Sequence, residues 1–196
     1  MFILDVGANF GYYSVLMADL VGPNGKLIAF EPNPGAASSA EASLSVNGFQ
    51  SRSTVLRSAA SDATGSLTFA IPHHEPKNAR IVAAGYSSPN AQVIQVPTVT
   101  IDAICWNERK VDFIKIDAEG GEYRIYQGMA EIIQRDRSMI ILEFNAARNG
   151  SAALLGLIVK THESLKYLGS DGTLKNITAE RLLSDKVGDD WLLLLE

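Results

Sequence analysis

The chain has 196 residues, of which 46% are hydrophobic and 20% charged, a composition typical of a single soluble globular domain. Its net charge of −5, without a cluster of Lys and Arg that could follow a phosphate backbone, predicts no nucleic-acid partner. The single cysteine, Cys105, excludes an internal disulfide, and no apolar run reaches the ~20 residues that cross a bilayer, so we expect a cytoplasmic protein with no membrane partner.

Short apolar runs alternate with amphipathic stretches, a pattern typical of an α/β domain with a mostly parallel sheet. In chain order, the sequence predicts seven strands of the main sheet at 2–6, 26–30, 54–59, 111–117, 138–144, 173–177 and the terminal DWLLLLE. It predicts helices between them at 11–20, 34–47, 121–134 and 151–167. We therefore expect one doubly wound domain over residues 1–196, because no linker or internal repeat divides the chain.

An insertion separates the third and fourth parallel strands. Residues 66–71 and 93–100 both have strand character and predict a small β-hairpin beside the main sheet. The stretch between them, 72–92, is rich in turn-forming residues and predicts a long loop, a feature that is usually functional in a compact domain. The adjacent His73 and His74 are more typical of a solvated pair than of a site, and Tyr86 is the aromatic residue that we first expect to meet a substrate.

A glycine-rich turn follows the first strand. It consists of Gly7, Ala8, Asn9, Phe10 and Gly11. A strand, a glycine turn and a helix let the backbone approach a ligand closely and aim free N–H groups at it, an arrangement that serves dinucleotides and S-adenosylmethionine. Asn9 stands where the dinucleotide fingerprint has its second glycine, which disfavours a pyrophosphate. Asp5, just before the turn, suits a ligand that carries an amino group.

Acidic residues also follow the next two strands. Glu31, followed by Pro32, stands at the carboxyl end of the second strand, where a carboxylate can accept both hydroxyls of a ribose. A ribose is common to NAD and S-adenosylmethionine, so the presence of Glu31 does not distinguish between the two cofactors. Ser61 and Asp62 follow the third strand at the same edge, where a polar side chain could meet an adenine amine, although Asp62 is also an ordinary turn-former. Together these positions predict an adenosine cofactor.

The fourth strand carries the residues that we expect to act in catalysis. Lys115 and Asp117 lie two apart, hence on one face of a central strand, and a buried ammonium there needs a carboxylate partner. Asp117 or Glu143, near the end of the fifth strand, is the expected partner, and a purely structural ion pair is the alternative. Glu119 follows in the next loop. A carboxylate or lysine at this edge could take the proton of an alcohol nucleophile during methyl transfer.

A metal site is the second interpretation of the same residues. Asp117 with Glu143 or Asn145 would offer hard oxygen ligands suited to Mg²⁺. Lys115 would compete for those carboxylates, so we expect no metal.

Four segments of the chain resemble the FkbM-type S-adenosylmethionine-dependent methyltransferases. They are DVGANFGYYS, IAFEPNP, AASDATG and VDFIKIDAEGGE, in this order, and they cover most of residues 2–145. The resemblance implies a class I methyltransferase fold, a Rossmann-like seven-stranded sheet with an antiparallel last strand, and O-methylation of a hydroxyl on a small-molecule acceptor, often a sugar or natural product. It also implies roles for individual residues: Asp5, Gly7, Asn9 and Gly11 line the methionine part of the cofactor, Glu31 holds its ribose, Asp62 lies near its adenine, and Lys115, Asp117 and Glu119 face the reaction.

The chain also departs from the family pattern. Ala118 and Gly121 replace residues of the usual VEGAE, but every ionisable residue stays in place. We expect the segment upstream of the first strand, which commonly helps to cover the cofactor, to be missing. Two alternatives therefore stay open, a non-catalytic binding module with the same fold and an NAD-linked oxidoreductase. The sequence does not predict the acceptor or the oligomeric state.

Overall fold

A computed structural model describes residues 1–185 and 188–196. Within them, twelve strands have these bounds: β1 Phe2–Val6, β2 Lys26–Phe30, β3 Ser53–Leu56, β4 Ala59–Ala60, β5 Gly65–Pro72, β6 Arg80–Val82, β7 Ala91–Val99, β8 Phe113–Ile116, β9 Met139–Asn145, β10 Lys166–Leu168, β11 Leu174–Asn176 and β12 Asp190–Leu195. The α-helices in the same residues are α1 Tyr12–Leu20, α2 Pro34–Val46, α3 Ile101–Cys105, α4 Glu122–Gln127, α5 Ala130–Asp136, α6 Ser151–Thr161 and α7 Ala179–Leu183.

The main sheet has the strand order β11-β10-β12-β9-β8-β1-β2-β3. Its five strands from β9 to β3 are parallel, while β12, β10 and β11 pair antiparallel with their neighbours. This confirms the predicted α/β class and the antiparallel terminal strand. The described part of the sheet has eight strands and not seven, because helix α6 ends at Thr161 and the chain then forms β10, which pairs with β12.

The insertion forms a second sheet of four strands in the order β4-β7-β5-β6. The predicted hairpin is its centre, with β5 and β7 antiparallel from Gly65 opposite Thr98 to Pro72 opposite Ala91. The predicted third strand is divided between the two sheets, because β3 ends at Leu56 and β4 begins at Ala59. The stretch predicted as a loop contains a short 3-10 helix, Pro76–Asn78, and the strand β6.

The helix predicted over 121–134 is two helices, α4 and α5, interrupted at Gly128. A Cβ atom at Gly128 would overlap the carbonyl oxygen of Ser61, so the two backbones are in direct contact there. Asp102, on the short helix α3 that the sequence pattern did not predict, accepts hydrogen bonds from the backbone N–H groups of Glu131 and Ile132. Tertiary contacts therefore set this helix boundary.

The hydrophobic core lies on both faces of the main sheet. On β1, Phe2, Leu4 and Val6 belong to the larger cluster, and Ile3 points to the opposite face, against α1 and α2, as the two-residue period of a strand requires. Cys105 is fully buried in the larger cluster, and burial raises the pKa of its thiol to about 12. No helix of the described residues is long and apolar enough to cross a bilayer.

The contact between the glycine turn and α2 can be tested at Gly11. Its φ is 85°, and a Cβ atom there would lie 2.8 Å from the Cα of Ala40. We expect Gly11→Ala to lower the free energy of unfolding by about 2–4 kcal/mol, from left-handed backbone strain and overpacking. Gly48→Ala is the matched control, because its φ is 76° but the space around it is open, and we expect a loss of about 1 kcal/mol. Equal losses in urea unfolding would contradict the close contact.

Candidate active site

A cleft of about 280 Å³ opens at the carboxyl edge of the parallel strands, where ligands bind in open α/β sheets. Four parts of the chain form its walls: the turn after β1 with the start of α1, the segment after β2, the inserted sheet, and the segment after β8. In that order, the lining residues are Val6, Gly7, Ala8, Asn9, Phe10, Tyr12 and Tyr13; Phe30, Glu31, Pro32 and Asn33; Ala59, Ala60, Phe69, Pro76, Lys77, Ala79 and Ile81; and Lys115, Asp117, Ala118, Glu119, Gly121 and Ile125.

The glycine turn forms the floor of the cleft. The backbone N–H groups of Gly7 and Ala8 both donate to the carbonyl oxygen of Phe30, at 3.0 and 3.1 Å, which ties the turn to β2. Gly7 has a φ of 78°, and a Cβ atom there would overlap the carbonyl oxygen of Asp117. Asn9 also has a positive φ, 51°, a conformation that Asn tolerates better than most residues. The backbone of the turn therefore packs directly on the end of β8.

Glu31 is buried at the wall of the cleft. Its Oε2 accepts a hydrogen bond from the backbone N–H of Asn9 at 2.7 Å, and its Oε1 accepts one from that of Asn33 at 2.8 Å. Each oxygen keeps a second lone pair, so the carboxylate can still accept two ligand hydroxyls. Burial raises the pKa of Glu31, and the two backbone hydrogen bonds oppose that rise.

Lys115 is buried beneath the turn and binds two carboxylates. Its Nζ lies 3.4 Å from Asp5 Oδ1 and 3.4 Å from Asp117 Oδ2, and it donates to the carbonyl oxygen of Gly7 at 3.2 Å. Asp117 was one of its two predicted partners; the other, Glu143, is wrong, because Glu143 pairs with an arginine. The sequence reasoning missed Asp5 as a partner, although Asp5 and Lys115 are direct neighbours in the register of β1 and β8.

Asp5 does not line the cleft. It is fully buried, and its Oδ2 accepts a hydrogen bond from Ser14 Oγ at 2.6 Å. Because Ser14 lies on α1 and Lys115 on β8, Asp5 connects both elements to β1. The structure therefore places this residue behind the turn, where it supports the floor.

Three acidic residues predicted for catalysis lie close together. The carboxylates of Asp117, Glu119 and Glu143 each have an oxygen within 4.8 Å of the others, and Asp117 and Glu119 line the cleft whereas Glu143 does not. Arg148, which the sequence reasoning missed, donates to Glu143 at 2.7 Å and to Glu119 at 3.2 Å. It also contacts Glu122 at 3.0 Å and Asp190 at 3.4 Å.

This arginine changes how the acidic cluster is interpreted. Three carboxylates at this spacing could hold a divalent cation, but the Arg148 guanidinium already supplies positive charge to two of them. Asn145, the alternative metal ligand, uses its Oδ1 to accept the backbone N–H of Ala147 at 2.9 Å. Burial and the charge of Asp117 raise the pKa of Glu143 to about 7, against the opposing effect of Arg148.

The remaining predicted residues, Gly11 among them, lie outside the cleft. Ser61 Oγ donates to Asp62 Oδ1 at 2.9 Å, and Asp62 lies 3.8 Å from Arg124, while Ala59 and Ala60 of β4 form the adjacent wall. His73 and His74 are exposed, and they and Tyr86 are absent from the lining.

The inserted sheet instead contributes Pro76 and Lys77, which precede β6, to the wall. Asn33, the N-cap of α2, holds this segment by donating from Nδ2 to the carbonyl oxygen of Pro76 at 3.4 Å.

Residues 5–171 match the family model described as the methyltransferase FkbM domain. A curated protein-L-isoaspartate O-methyltransferase of Aeropyrum pernix is 32% identical over 93 residues, which are 47% of this chain and 33% of that protein.

Solved structures share the fold. The crystal structure of methyltransferase FkbM from Methylobacillus flagellatus gives a TM-score of 0.61 at 18% identity, covering 99% of this chain and 43% of that chain. An O-methyltransferase from Bacillus cereus in complex with SAH gives a TM-score of 0.51 at 16% identity, covering 99% and 73%. The chain thus spans less than half the length of the FkbM structure and of the curated relative.

The raised pKa of Glu143 predicts a pH dependence of stability. The folded protein holds this proton more tightly than the unfolded chain, whose glutamate has an ordinary pKa of 4.5. The resulting stabilisation is complete below pH 4.5 and is lost as the pH rises through about 7. The wild type loses this stabilisation and Glu143→Gln does not. We therefore expect the free energy of unfolding of the variant minus that of the wild type to increase as the pH rises from 4.5 to about 7. A difference between the two proteins that is constant from pH 4 to pH 8 would contradict the assignment.

Proposed function

Because the chain belongs to the methyltransferase FkbM domain family, we propose that it is an S-adenosylmethionine-dependent methyltransferase whose acceptor is a hydroxyl group of a small molecule, such as a sugar or natural product. One observation carries the proposal. A single cleft contains the glycine turn after β1, the buried carboxylate of Glu31 after β2 and the acidic side chain of Asp117 after β8. These features provide a ribose acceptor and a proton acceptor at the same strand edge.

The residues of the cleft fit S-adenosylmethionine better than a dinucleotide. Glu31 keeps an available lone pair on each oxygen for the two ribose hydroxyls. Apolar side chains of the inserted sheet, Phe69 and Ile81, offer a surface for adenine. A pyrophosphate would face the carboxylates of Glu31, Asp117 and Glu119 in the same cleft, and like charges at that range repel. The sulfonium and ammonium groups of S-adenosylmethionine complement those carboxylates.

The ionisable residues have different roles in the proposed reaction. Bound S-adenosylmethionine supplies an electrophilic methyl group. Asp117 lines the cleft and accepts the proton that the acceptor hydroxyl loses as it is methylated. Lys115 is committed to Asp5, Asp117 and the Gly7 carbonyl, so it acts as a positioning residue for the base and the turn.

Glu119 and Glu143 act beside Asp117 in this scheme. Glu119 lines the cleft and can orient the acceptor through a hydrogen bond. Glu143 lies behind it, with a carboxylate oxygen within 4.8 Å of those of Asp117 and Glu119. Arg148 fixes both glutamates in place, at 3.2 and 2.7 Å. No metal ion takes part in the proposed mechanism.

The ribose assignment is tested at Glu31. We expect Glu31→Ala to raise the dissociation constant of S-adenosylhomocysteine at least about tenfold, or ~1.4 kcal/mol, because both ribose hydroxyls lose their acceptor. Calorimetric titration of wild type and variant with S-adenosylmethionine, S-adenosylhomocysteine and NAD, with and without Mg²⁺, measures this. Glu41→Ala, an acidic residue on the outer side of α2 paired with Arg57, should bind as the wild type does. An unchanged constant in Glu31→Ala, or preferential binding of NAD, contradicts the assignment.

The proton acceptor is tested at Asp117. With an acceptor found in a screen of hydroxylated sugars, we expect Asp117→Asn to lower turnover by about 10²–10⁴-fold and to leave the affinity for S-adenosylhomocysteine within a factor of about three. Asp190→Asn is the control, since Asp190 belongs to the same acidic cluster through Arg148 but does not line the cleft. Turnover of Asp117→Asn at the wild-type rate removes Asp117 from the mechanism. If the protein binds the cofactor tightly but the screen finds no acceptor that it methylates, the result supports the non-catalytic binding module.

A further inference from the structure

The loop after β8, residues 117–121, contains a glutamate in a backbone conformation that favours glycine. Glu119 has a φ of 48°, and Gly120 beside it has a φ of 98°. A residue with a Cβ atom is strained in this left-handed region, and such strain persists only where surrounding interactions hold it. Glycine would adopt the same conformation without strain. The strain at Glu119 therefore indicates a function for its carboxylate.

Glu122 holds the loop in this conformation. It is only 4% exposed, and its Oε1 accepts hydrogen bonds from the backbone N–H groups of Ala118 at 3.3 Å and Gly120 at 3.1 Å. Ala118 and Gly120 flank Glu119 in the chain, so both hydrogen bonds fix the peptide groups around it. Glu122 does not line the cleft, and it therefore acts through the loop and not by touching a ligand.

Arg148 joins Glu122 to Glu119. Its Nη1 lies 3.0 Å from Glu122 Oε1, and its Nη2 lies 3.2 Å from Glu119 Oε2. A guanidinium is planar with donors in fixed directions, so it orients the two carboxylates relative to each other. The charge of Arg148 is already balanced by Glu122 and by Glu143, at 2.7 Å. Pairing with Arg148 therefore does not by itself explain the strain at Glu119, whose side chain is still 47% exposed.

Asp117, at the other end of the loop, is held by different contacts. Its backbone N–H donates to the carbonyl oxygen of Val6 at 3.1 Å, and its Oδ2 lies 3.4 Å from Lys115 Nζ. Neither contact involves Glu122. The loop therefore presents two carboxylates to the cleft that are anchored independently, Asp117 by β1 and β8, and Glu119 by Glu122.

We propose that Glu119 determines which acceptor is bound, by accepting a hydrogen bond from a second hydroxyl next to the one that is methylated, and that Glu122 positions Glu119 for this contact. The inference rests on the proposed function. Asp117 and Glu119 both line the cleft and have carboxylate oxygens within 4.8 Å of each other. The two hydroxyls of a vicinal diol can therefore each donate to a different carboxylate at ordinary hydrogen-bond lengths.

Hydrogen exchange tests the role of Glu122 without cofactor or acceptor, so its outcome is independent of the proposed function. We expect Glu122→Ala to speed amide exchange at Ala118 and Gly120 about tenfold or more, and to leave the Asp117 amide as in the wild type. Glu122→Gln keeps an oxygen for both N–H groups and should retain most of the protection.

Glu131→Ala is the matched control for this measurement. Glu131 also lies in the first turn of a helix, α5, but it is exposed, so it reports the effect of losing an acidic residue from a helix start. If Glu122→Ala does not fold, Glu122→Asp gives the same readout, because its carboxylate is one methylene short of the loop. Unchanged exchange at Ala118 and Gly120, or equal acceleration in the control, overturns the positioning role.

Steady-state kinetics test the acceptor assignment. With an acceptor found in the screen of hydroxylated sugars, we expect Glu119→Ala to raise the KM for the acceptor about 10–100-fold with kcat nearly unchanged, because the lost contact is made before and during the reaction alike. Glu122→Ala should have the same effect, whereas Asp117→Asn lowers kcat. Asp190→Asn, which removes a partner of Arg148 outside the cleft, should leave both constants unchanged.

Derivatives of that acceptor that lack one hydroxyl next to the methylated one complete the test. At least one of them should raise the KM of the wild type by a similar factor, and Glu119→Ala should not distinguish it from the parent acceptor. A wild type that binds all of them equally well, or an unchanged KM in Glu119→Ala, overturns the assignment. If no acceptor is methylated, the proposed function fails and the acceptor assignment fails with it, whereas the exchange result for Glu122 stands.

Discussion

The buried ammonium of Lys115 is the interaction on which the floor of the cleft depends. Removing an ammonium from water costs several kcal/mol unless charged and polar groups replace the water. Here the replacements come from three different places: Asp5 in β1, the Gly7 carbonyl in the turn and Asp117 after β8. Neutralising one charge therefore fixes the turn above two neighbouring strands. The direct packing of Gly7 on the Asp117 backbone, which excludes a Cβ atom, accompanies this arrangement.

Two cationic side chains form ion pairs with the acidic residues at this edge of the sheet. Lys115 binds Asp5 and Asp117, whereas Arg148 binds Glu119, Glu122, Glu143 and Asp190. Asp117 therefore has one cationic neighbour, Lys115 at 3.4 Å, and an open side toward the cleft. Glu143 lies outside the cleft, where its Oε2 is 2.7 Å from the Arg148 guanidinium. A proton acceptor needs a free lone pair that faces its substrate, and among these acids that condition favours Asp117.

Features encoded in consecutive residues were predictable, and features that depend on neighbouring strands were not. The glycine turn, Glu31 and the residues Lys115 and Asp117 are local patterns, and Gly7 to Phe10 of the turn line the cleft with the other three. The pairing of Lys115 with Asp5 requires the register of β1 against β8, which no local pattern contains. Arg148 gives no signal because its four carboxylate partners come from three separate segments, the one after β8, β9 and β12. The three-residue strand β10 exists through its pairing with β12, and the break at Gly128 exists through contact with Ser61.

Helix α1 is held on the main sheet by one of its sides. An isolated helix of nine residues is marginal in water and depends on tertiary packing, which Ser14, Met17 and Ala18 supply on the inner side. The sequence YYSVLMADL is apolar nearly all round, a pattern typical of a helix buried on every side. The described chain buries only one of those sides. Tyr13, on the outer side, is half-buried with its ring centroid 5.4 Å from Lys115 Nζ, and Phe10, Tyr12 and Tyr13 line the cleft. The start of α1 therefore serves the wall of the cleft with the side that the sheet leaves open.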